Sequence, residues 1–393
     1  MNPQQSSIAQ ELNEVLAESS AETEQRTARL FRVTAADKVV LFGAGGLGAT
    51  ALTGLRKAGL EPAAFADDTP EKQVTIIEGL PVMSPSEAVE RFGDRLVFVV
   101  TIMNAKLRFV DARTRLQGLT DRPVISFLHL AWQFPDVFLP YYQFVLPAEL
   151  LSEGEDIRRA FSLWADEESQ TQFVAHIKFR LRLDFEALPK NLGQGYLPLD
   201  VVPQLPDDTV YIDCGAYDGD TVRRFIEHQS DRFSRIYAFE PDEINCRRLQ
   251  QYVDGLGEPM ASKIKIFNAG VGAERARVGF NATGNMSASF TEASENQVDV
   301  LPLQEVVQVN GEYVFLKFDV EGAEREALKG AERLLSQARP LLAISVYHRP
   351  DDLWQLPLYI HSLNLGYRLF LRTQGEDGMD VICYAVPPNE SGT

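Results

Sequence analysis

The chain has 393 residues, with a hydrophobic fraction of 45% and a charged fraction of 24%, which is typical of a folded protein that is too long for one ordinary core. Its formal net charge of −18 disfavours nucleic acid and anionic membrane surfaces as partners, because such binding requires clustered Lys and Arg. The three cysteines are widely spaced, which indicates neither a metal site nor a disulfide framework.

The N-terminal region lacks the pattern of a signal peptide, and no apolar run in the chain is long enough to cross a bilayer. We therefore predict a cytoplasmic protein. Residues 1–34 are predicted to form a helical leader, since Ile8, Leu12 and Val15 recur at helical spacing.

Residues 35–130 are predicted to form a small Rossmann-like α/β domain. An apolar strand leads into a turn that contains Gly43, Gly45 and Gly48, followed by a helix and by a strand that ends at Asp67. This order is a strand–helix–strand unit. Asp67 lies 19 residues after the last of these glycines, a spacing that fits a dinucleotide-binding fingerprint.

The same region also resembles the nucleotide-sugar-binding N-terminal domain of certain sugar acetyltransferases, in its runs 65–68 and 79–82. The glycine turn and Asp67 are therefore predicted to bind either a dinucleotide or a nucleotide sugar. A third alternative is a sheet that binds nothing and serves only as a scaffold.

Residues 131–205 carry aromatic, proline-containing segments and then a charged helical pattern, which predict a helical connector. The alternation of strands and helices restarts after it and predicts a second, larger α/β domain over 206–393. Its strands are predicted at 209–214, 235–239, 264–269, 313–318, 341–346, 367–371 and 380–385, with a hairpin around 276–290.

The first strand of this second domain runs into a turn of the form D-x-G-x-x-x-G, made by Asp213, Gly215 and Gly219. Thr221, which follows this turn, is predicted to be a further cofactor-binding residue. Glycines at such a turn let the backbone approach a ligand, and a helix N-terminus favours polar or anionic groups. The leading acid replaces the glycine of a phosphate-binding loop. It suits a cationic ligand group, such as the amino group of a bound amino acid.

The next two strands add groups that suit an adenosine. Glu240 ends the second strand, 21 residues beyond Gly219, where an acid can accept both hydroxyls of a ribose. Asn268 and Ala269 end the third strand and could meet an adenine edge. The alternative for Glu240 is a first-turn acid that stabilises the dipole of the following helix.

The fourth and fifth strands supply the candidate catalytic residues. Lys317, Asp319 and Glu321 share one face by the period of a strand, at the end where ligands of such sheets lie. His348 follows the fifth strand, and a histidine with an ordinary pKa near 6.5 could take a proton from a hydroxyl. A histidine that only orients a loop is the alternative, and Glu324 is interpreted as a first-turn helix acid.

From Tyr211 to Tyr384 the chain resembles the FkbM-type methyltransferase family. The resemblance rests on four segments, of which the third is the most specific: 213–221, 239–242, 316–324 and the loop Ser287-Ala288-Ser289. It implies a class I, Rossmann-like, seven-stranded domain that binds S-adenosylmethionine and methylates an oxygen of a sugar or small metabolite without a metal.

The resemblance also implies residue roles. The motif positions Asp213, Gly215 and Gly219 would hold the methionine part of the cofactor, Glu240 the ribose, and Asn268 and Ala269 the adenine side, while Asp319 and Glu321 match the acidic end of strand four. Two positions depart from the family pattern, Gln304 before strand four and Ser345 at the end of strand five. These departures concern the base and the acceptor rather than the cofactor.

The sequence therefore predicts methyl transfer from S-adenosylmethionine to an oxygen of a small molecule, a sugar or glycan precursor, with Asp319 or His348 removing the proton. The N-terminal domain would recruit this acceptor by its nucleotide or sugar moiety. Two alternatives remain: an NAD(P)-dependent or nucleotide-sugar enzyme centred on the N-terminal domain, and a scaffold that binds S-adenosylmethionine without turnover.

Overall fold

The computed structural model describes residues 3–104, 106–189, 195–202, 204–281, 289–290 and 297–388. The chain divides into two compact units. The N-terminal unit comprises residues 1–158, 170–192 and 375–380, and the C-terminal unit comprises residues 159–169, 193–374 and 381–393. The predicted connector 131–205 is thus divided between the two units.

The N-terminal unit is built from short helices around one sheet. Its helices are α1 (Pro3–Leu16), α2 (Ser20–Ala28), α3 (Gly46–Lys57), α4 (Pro85–Phe92), α5 (Phe109–Gln117), α6 (Phe127–Gln133), α7 (Pro135–Phe138), α8 (Pro147–Ser152) and most of α9 (Gly154–Phe161) and α10 (Glu167–Arg182). Its strands are β1 (Lys38–Phe42), β2 (Ala64–Ala66), β3 (Ile76–Ile77), β4 (Leu80–Met83), β5 (Leu96–Val100) and β6 (Val124–Ser126).

These six strands form one sheet in the order β3-β4-β2-β1-β5-β6. All pairs are parallel except that of β3 with β4. The central strands β1 and β5 are buried along nearly their whole length, which explains their continuous apolar sequence, because both faces of a parallel sheet are covered. The predicted strand–helix–strand unit is confirmed as β1, α3 and β2.

The C-terminal unit alternates strands and helices. Its helices are α11 (Asp220–Gln229), α12 (Glu243–Leu256), α13 (Leu303–Val306), α14 (Glu324–Lys329), α15 (Glu332–Ala338) and α16 (Asp352–Ser362). Its strands are β7 (Val210–Cys214), β8 (Arg235–Phe239), β9 (Ile264–Phe267), β10 (Gly270–Val271), β11 (Ala276–Asn281), β12 (Ser289–Phe290), β13 (Gln297–Leu301), β14 (Val314–Phe318), β15 (Leu341–Ser345), β16 (Arg368–Thr373) and β17 (Val381–Val386).

Seven of these strands form a sheet in the order β16-β17-β15-β14-β7-β8-β9. The strands from β15 to β9 are parallel, and β17 is antiparallel to both of its neighbours. The carboxyl ends of β7, β8, β14 and β15 therefore lie along one edge. The predicted mixed α/β fold is confirmed.

A second, four-stranded sheet has the order β10-β13-β11-β12. In it, β11 and β12 pair antiparallel, which confirms the hairpin predicted around 276–290. Ser287 and Ala288 of the loop used in the family resemblance lie outside the described residues.

Candidate active site

The register of three adjacent strands brings the predicted site residues together. Phe318 of β14 lies opposite Cys214 of β7, which in turn lies opposite Phe239 of β8. The residues that follow these positions are Asp319, Gly215 and Glu240. The sheet thus collects the two acids and the glycine turn at one edge, where ligands of such sheets bind.

Asp213 and Lys317 form a buried ion pair between β7 and β14. The Lys317 Nζ atom lies 2.8 Å from Asp213 Oδ1 and 2.9 Å from the carbonyl oxygen of Gly215, and both side chains are fully buried. Burial alone would lower the pKa of Lys317, but Asp213 and Asp319 raise it above its ordinary value. The cation that Asp213 meets in this structure is Lys317, a contact that the sequence analysis did not predict.

The glycine turn after β7 is shaped by close backbone packing. Gly215 has a φ of +85°, and a Cβ atom there would overlap the carbonyl oxygen of Asp319. Only glycine fits such a position. Gly219, with a φ of +88°, precedes α11, and the Thr221 hydroxyl donates to Asp213. The predicted turn residues therefore hold the strand ends together.

Asp218 lies between these two glycines and has one oxygen without a protein partner. Its Oδ1 atom is buried and accepts no hydrogen bond from the described residues. Leaving such an acceptor unsatisfied costs free energy. The sequence analysis did not predict a ligand-binding role for Asp218, although this residue lies within the D-x-G-x-x-x-G turn.

Glu240 is 6% exposed and its carboxylate closes the glycine turn from the side of β8. It accepts hydrogen bonds from the backbone amides of Tyr217 at 2.8 Å and Asp242 at 2.9 Å. Burial raises the pKa of Glu240 to about 7, against the effect of these two amides. Glu240 is thus not a simple helix-dipole acid, since α12 is capped by Asp242 instead.

Asn268 and Ala269 lie beside Glu240. The Asn268 amide donates to the carbonyl oxygens of Glu240 at 2.9 Å and Pro241 at 3.2 Å, and Ala269 is buried. The Asn268 side chain therefore links the end of β9 to the end of β8 by hydrogen bonds.

Asp319 is the centre of a hydrogen-bonded group on the next strand end. Its carboxylate accepts from the Ser345 hydroxyl at 2.9 Å and from Tyr196, whose Oη lies 3.2 Å from Ser345 Oγ. The side chain of Asp319 is 28% exposed. Burial would raise the pKa of Asp319, but Lys317 and His348 lower it below its ordinary value.

Tyr196 was not found by sequence reasoning. Its ring also lies over the Lys317 ammonium, at 4.9 Å, which is a cation–π contact. It precedes β7 by more than ten residues and carries no motif, so only the tertiary structure could place it at this edge.

Glu321 follows Asp319 in a tight turn. It has a φ of +52°, a left-handed conformation that is strained for a residue with a side chain. Its side chain is 29% exposed and its Oε2 atom lies 3.9 Å from His348 Nε2. The predicted grouping of Asp319, Glu321 and His348 is therefore present.

His348 is surrounded by carboxylates. Its Nδ1 atom lies 2.8 Å from Glu324 Oε1 and its Nε2 atom 3.4 Å from Asp319 Oδ1. Burial alone would lower the pKa of His348, but Glu324, Asp319 and Glu321 raise it to about 10. These carboxylates favour the imidazolium form of His348, whereas the predicted proton acceptor requires the neutral ring.

Glu324 begins α14 as a first-turn acid, as predicted. It is also 1% exposed, and it pairs with His348, which the helix-dipole interpretation did not foresee. Its partner lies 24 residues away in the chain, so no local pattern signals the contact.

The four ligand-binding residues predicted for the first domain all lie in the N-terminal unit. Gly43, with a φ of +117°, and Gly48 are packed against neighbouring backbone, whereas Gly45 faces open space before α3. Asp67 accepts from the Ala44 amide and from Lys72 Nζ, both at 2.9 Å. Burial would raise the pKa of Asp67, but the Thr69 amide and Lys72 lower it to about 2.

Among the described residues, no group of three or more His, Cys, Asp or Glu side chains is placed to hold a metal ion. None of the helices within the described ranges combines the length and apolarity that a membrane span requires.

The strand ends at this edge of the sheet lie within a segment that is similar to a known protein family. Residues 213–375 match the model of the methyltransferase FkbM domain. Residues 213–375 thus resemble a methyltransferase FkbM domain. The matched residues begin at Asp213 and include the glycine turn, Glu240, Asp319 and His348, so the strand ends described above lie within the matched segment.

The whole chain is similar to one solved methyltransferase FkbM, from Methylobacillus flagellatus KT. The two are 25% identical, the match covers 98% of this chain and 99% of the other, and the TM-score is 0.74. A S-adenosylmethionine-dependent methyltransferase from Aquifex aeolicus matches 46% of this chain and 83% of its own at 16% identity and a TM-score of 0.28. No curated protein sequence is significantly similar to the chain.

Proposed function

We propose that this chain transfers the methyl group of S-adenosylmethionine to an oxygen of a small molecule, and that this molecule is a sugar or glycan precursor. The FkbM domain supports methyl transfer. The observation that carries the cofactor assignment is the junction of β7 and β8, where the Glu240 carboxylate binds the Tyr217 amide of the glycine turn at 2.8 Å. In this proposal the junction would place an acid for the ribose hydroxyls beside the glycine turn that receives the rest of the cofactor.

The described residues fit this cofactor in charge and in hydrogen bonding. Asp218 Oδ1 is buried without a partner among them and suits the ammonium group of the methionine part. Glu240 has two of its acceptor positions occupied by amides and retains capacity for ribose hydroxyls. Asn268 and Ala269 would border the adenine, and the bound cofactor would supply an electrophilic methyl group on a sulfonium.

Asp319 and Glu321 would bind the acceptor. Each is more than a quarter exposed at the same strand end, and a carboxylate accepts hydrogen bonds from hydroxyl groups. Because His348 is cationic, the proton of the acceptor hydroxyl would pass to Asp319. A carboxylate with a lowered pKa is a weak base, so most of the acceleration would come from orienting the acceptor oxygen.

We further propose that the seven-stranded sheet is a class I, Rossmann-like methyltransferase domain and that the smaller sheet of the N-terminal unit holds a nucleotide or sugar group. Gly45, which faces open space at the start of the 12-residue helix α3, supports the second assignment. The same opening would suit the competing NAD(P)-dependent function.

Calorimetric titration of the full chain separates these functions. We expect S-adenosylhomocysteine to bind, and Glu240→Ala to weaken this binding at least tenfold, because the variant loses the ribose acceptor. Glu243→Ala is the matched control, since Glu243 lies on the same connection but is 71% exposed and pairs only with Arg247. Circular dichroism shows whether both variants remain folded.

Binding of NADH in place of S-adenosylhomocysteine, abolished by Gly45→Trp, would instead support the NAD(P)-dependent enzyme. Incubation with methyl-labelled S-adenosylmethionine and a metabolite extract, followed by mass spectrometry, identifies the acceptor. Cofactor binding without any labelled product would support a scaffold.

A further inference from the structure

Glu324 ties two loops of the C-terminal unit together. Its Oε1 atom accepts a hydrogen bond from the Val320 amide at 2.9 Å and lies 2.8 Å from His348 Nδ1. Val320 belongs to the turn that follows β14, and His348 belongs to the loop that follows β15. One buried carboxylate oxygen therefore sets the position of both loops that carry acceptor-side groups.

His348 extends this connection to the exposed strand edge. Its side chain is 2% exposed, and its Nε2 atom points toward Asp319 Oδ1 at 3.4 Å and Glu321 Oε2 at 3.9 Å. A neutral imidazole has one N–H group, whereas an imidazolium can donate from both nitrogens. With carboxylates on both sides, the geometry suits the imidazolium.

The charges around the ring come from three elements. Glu324 belongs to α14, Asp319 and Glu321 to the turn after β14, and Asp352 to α16. All four are acids, so each favours a positive charge on the ring. Their combined effect exceeds that of burial, which alone would lower the pKa of His348.

We propose that Glu324 is a positioning residue for methyl transfer, because it holds His348 as a cation that in turn fixes the Asp319 carboxylate for the acceptor hydroxyl. This inference rests on the proposed function of the same site. Glu324 is 1% exposed, so in this proposal it would touch neither the acceptor nor the cofactor. Its role is to keep Asp319 ionised and oriented, through a contact chain that runs from Glu324 through His348 to Asp319.

The Glu324→Gln variant tests this role because it separates charge from shape. The glutamine amide oxygen can still accept from Val320, so the turn is kept while the negative charge is lost. The control is Glu326→Gln, which makes the same change two residues later on α14, where the side chain is 53% exposed and bonds Lys329.

Proton and nitrogen NMR of the full chain reports the charge of His348 directly. The chain has five histidines, and the signals of His348 are identified by their loss in His348→Gln. We expect the titration midpoint of His348 to lie near 10 and to fall by about two or more pH units in Glu324→Gln. Glu326→Gln should leave the midpoint unchanged.

Kinetics then test positioning. With methyl-labelled S-adenosylmethionine and a panel of methyl glycosides, Glu324→Gln should lower kcat about tenfold or more above pH 7, while its affinity for S-adenosylhomocysteine stays within about twofold. His348→Gln should show the same loss at every pH, and it provides the test if Glu324→Gln does not fold.

The inference is overturned if His348 is neutral at pH 7 in the unmodified chain, or if the titration midpoint of His348 does not move in Glu324→Gln. It is also overturned if kcat is the same in the unmodified chain and in Glu324→Gln. A different result overturns the proposed function itself, namely an unmodified chain that binds no S-adenosylhomocysteine. The titration of His348 needs no cofactor, so the two failures are distinguishable.

Discussion

At the scale of single residues, the strand ends carry two buried ion pairs and two partly exposed acids, Asp319 and Glu321. Lys317 compensates Asp213, and His348 compensates Glu324, so Asp319 and Glu321 remain as the partly exposed carboxylates. A site with this balance favours a neutral or cationic reacting group over an anionic one. This agrees with the proposed sulfonium cofactor and hydroxyl acceptor.

The pair of Asp213 and Lys317 gives a stability prediction. Lys317→Met removes one partner and leaves Asp213 as a buried, uncompensated carboxylate, which should lower the free energy of unfolding by about 3–5 kcal/mol. Chemical denaturation followed by fluorescence measures this change. Lys329→Met is the control, because Lys329 is 43% exposed and makes a surface pair with Glu326 that is worth less than about 1 kcal/mol.

An equal loss in both lysine variants would show that the buried pair contributes no more to stability than the surface pair. Replacing both partners in the Asp213→Leu, Lys317→Met variant should recover part of the loss, since the uncompensated charge is then gone.

Sequence reasoning identified which residues gather at the site more readily than it identified their charges. Asp213, Glu240 and Asp319 were predicted from motif and strand position, and the strand register brings them together. The prediction that His348 takes a proton assumed an ordinary pKa, whereas the surrounding carboxylates raise the pKa of the ring. The carboxylate of Glu324 comes from 24 residues away and cannot be read from local sequence.

At the scale of elements, long apolar strands were predicted to within about two residues, because a strand buried on both faces has a continuous apolar run. The pair β3 and β4 was missed. These strands have two and four residues, and β4 contains Pro81, which argues against a strand in a single sequence. The structure places the pair at one end of the sheet, with the two-residue β3 as the edge strand and β4 between β3 and β2.

The glycine turn after β7 gives a prediction at this scale. Gly215→Ala should cost clearly more stability than Gly257→Ala and should abolish binding of S-adenosylhomocysteine. Both glycines have positive φ, and Gly257, with a φ of 69° and a ψ of 175°, lies in a region that is almost restricted to glycine, so both alanine variants carry backbone strain of about 1–3 kcal/mol. A Cβ atom at Gly215 would also overlap the Asp319 backbone, whereas nothing lies within 4 Å of one at Gly257.

Thermal unfolding and calorimetric titration of the two variants check this expectation. If Gly215→Ala were no less stable than Gly257→Ala, the close approach of β7 and β14 would not be required for the fold.

At the scale of the whole molecule, the similarity to the Methylobacillus flagellatus protein extends over 98% of this chain, whereas the FkbM domain accounts for residues 213–375. Both compact units therefore have counterparts in the structure of the Methylobacillus flagellatus protein. The sequence predicted two α/β domains from two restarts of the strand and helix alternation. It did not predict that residues 375–380, between β16 and β17, belong to the N-terminal unit, because the sequence pattern carries no long-range contacts.

The charged groups of the C-terminal unit combine into a dependence of stability on pH. Burial raises the pKa of Glu240 and of Asp352 to about 7. An acid whose pKa is higher in the folded than in the unfolded chain stabilises the fold while it is protonated, so this contribution is lost as the pH rises from about 4 to 7. His348, with a pKa raised to about 10, loses its contribution between about 6.5 and 10.

All three groups act in the same direction, so we expect the C-terminal unit to be most stable near pH 5 and to unfold at progressively lower temperature toward pH 9. Scanning calorimetry of the full chain at constant ionic strength measures this trend. The double variant Glu240→Gln, Asp352→Asn should reduce the fall in stability between pH 5 and 7, by up to about 3 kcal/mol for each group. Glu243→Gln, which changes an exposed residue, should leave this fall unchanged. A stability that rises from pH 5 to 8 would contradict the raised pKa values of these carboxyl groups, because an acid with a raised pKa loses its stabilising contribution in that direction.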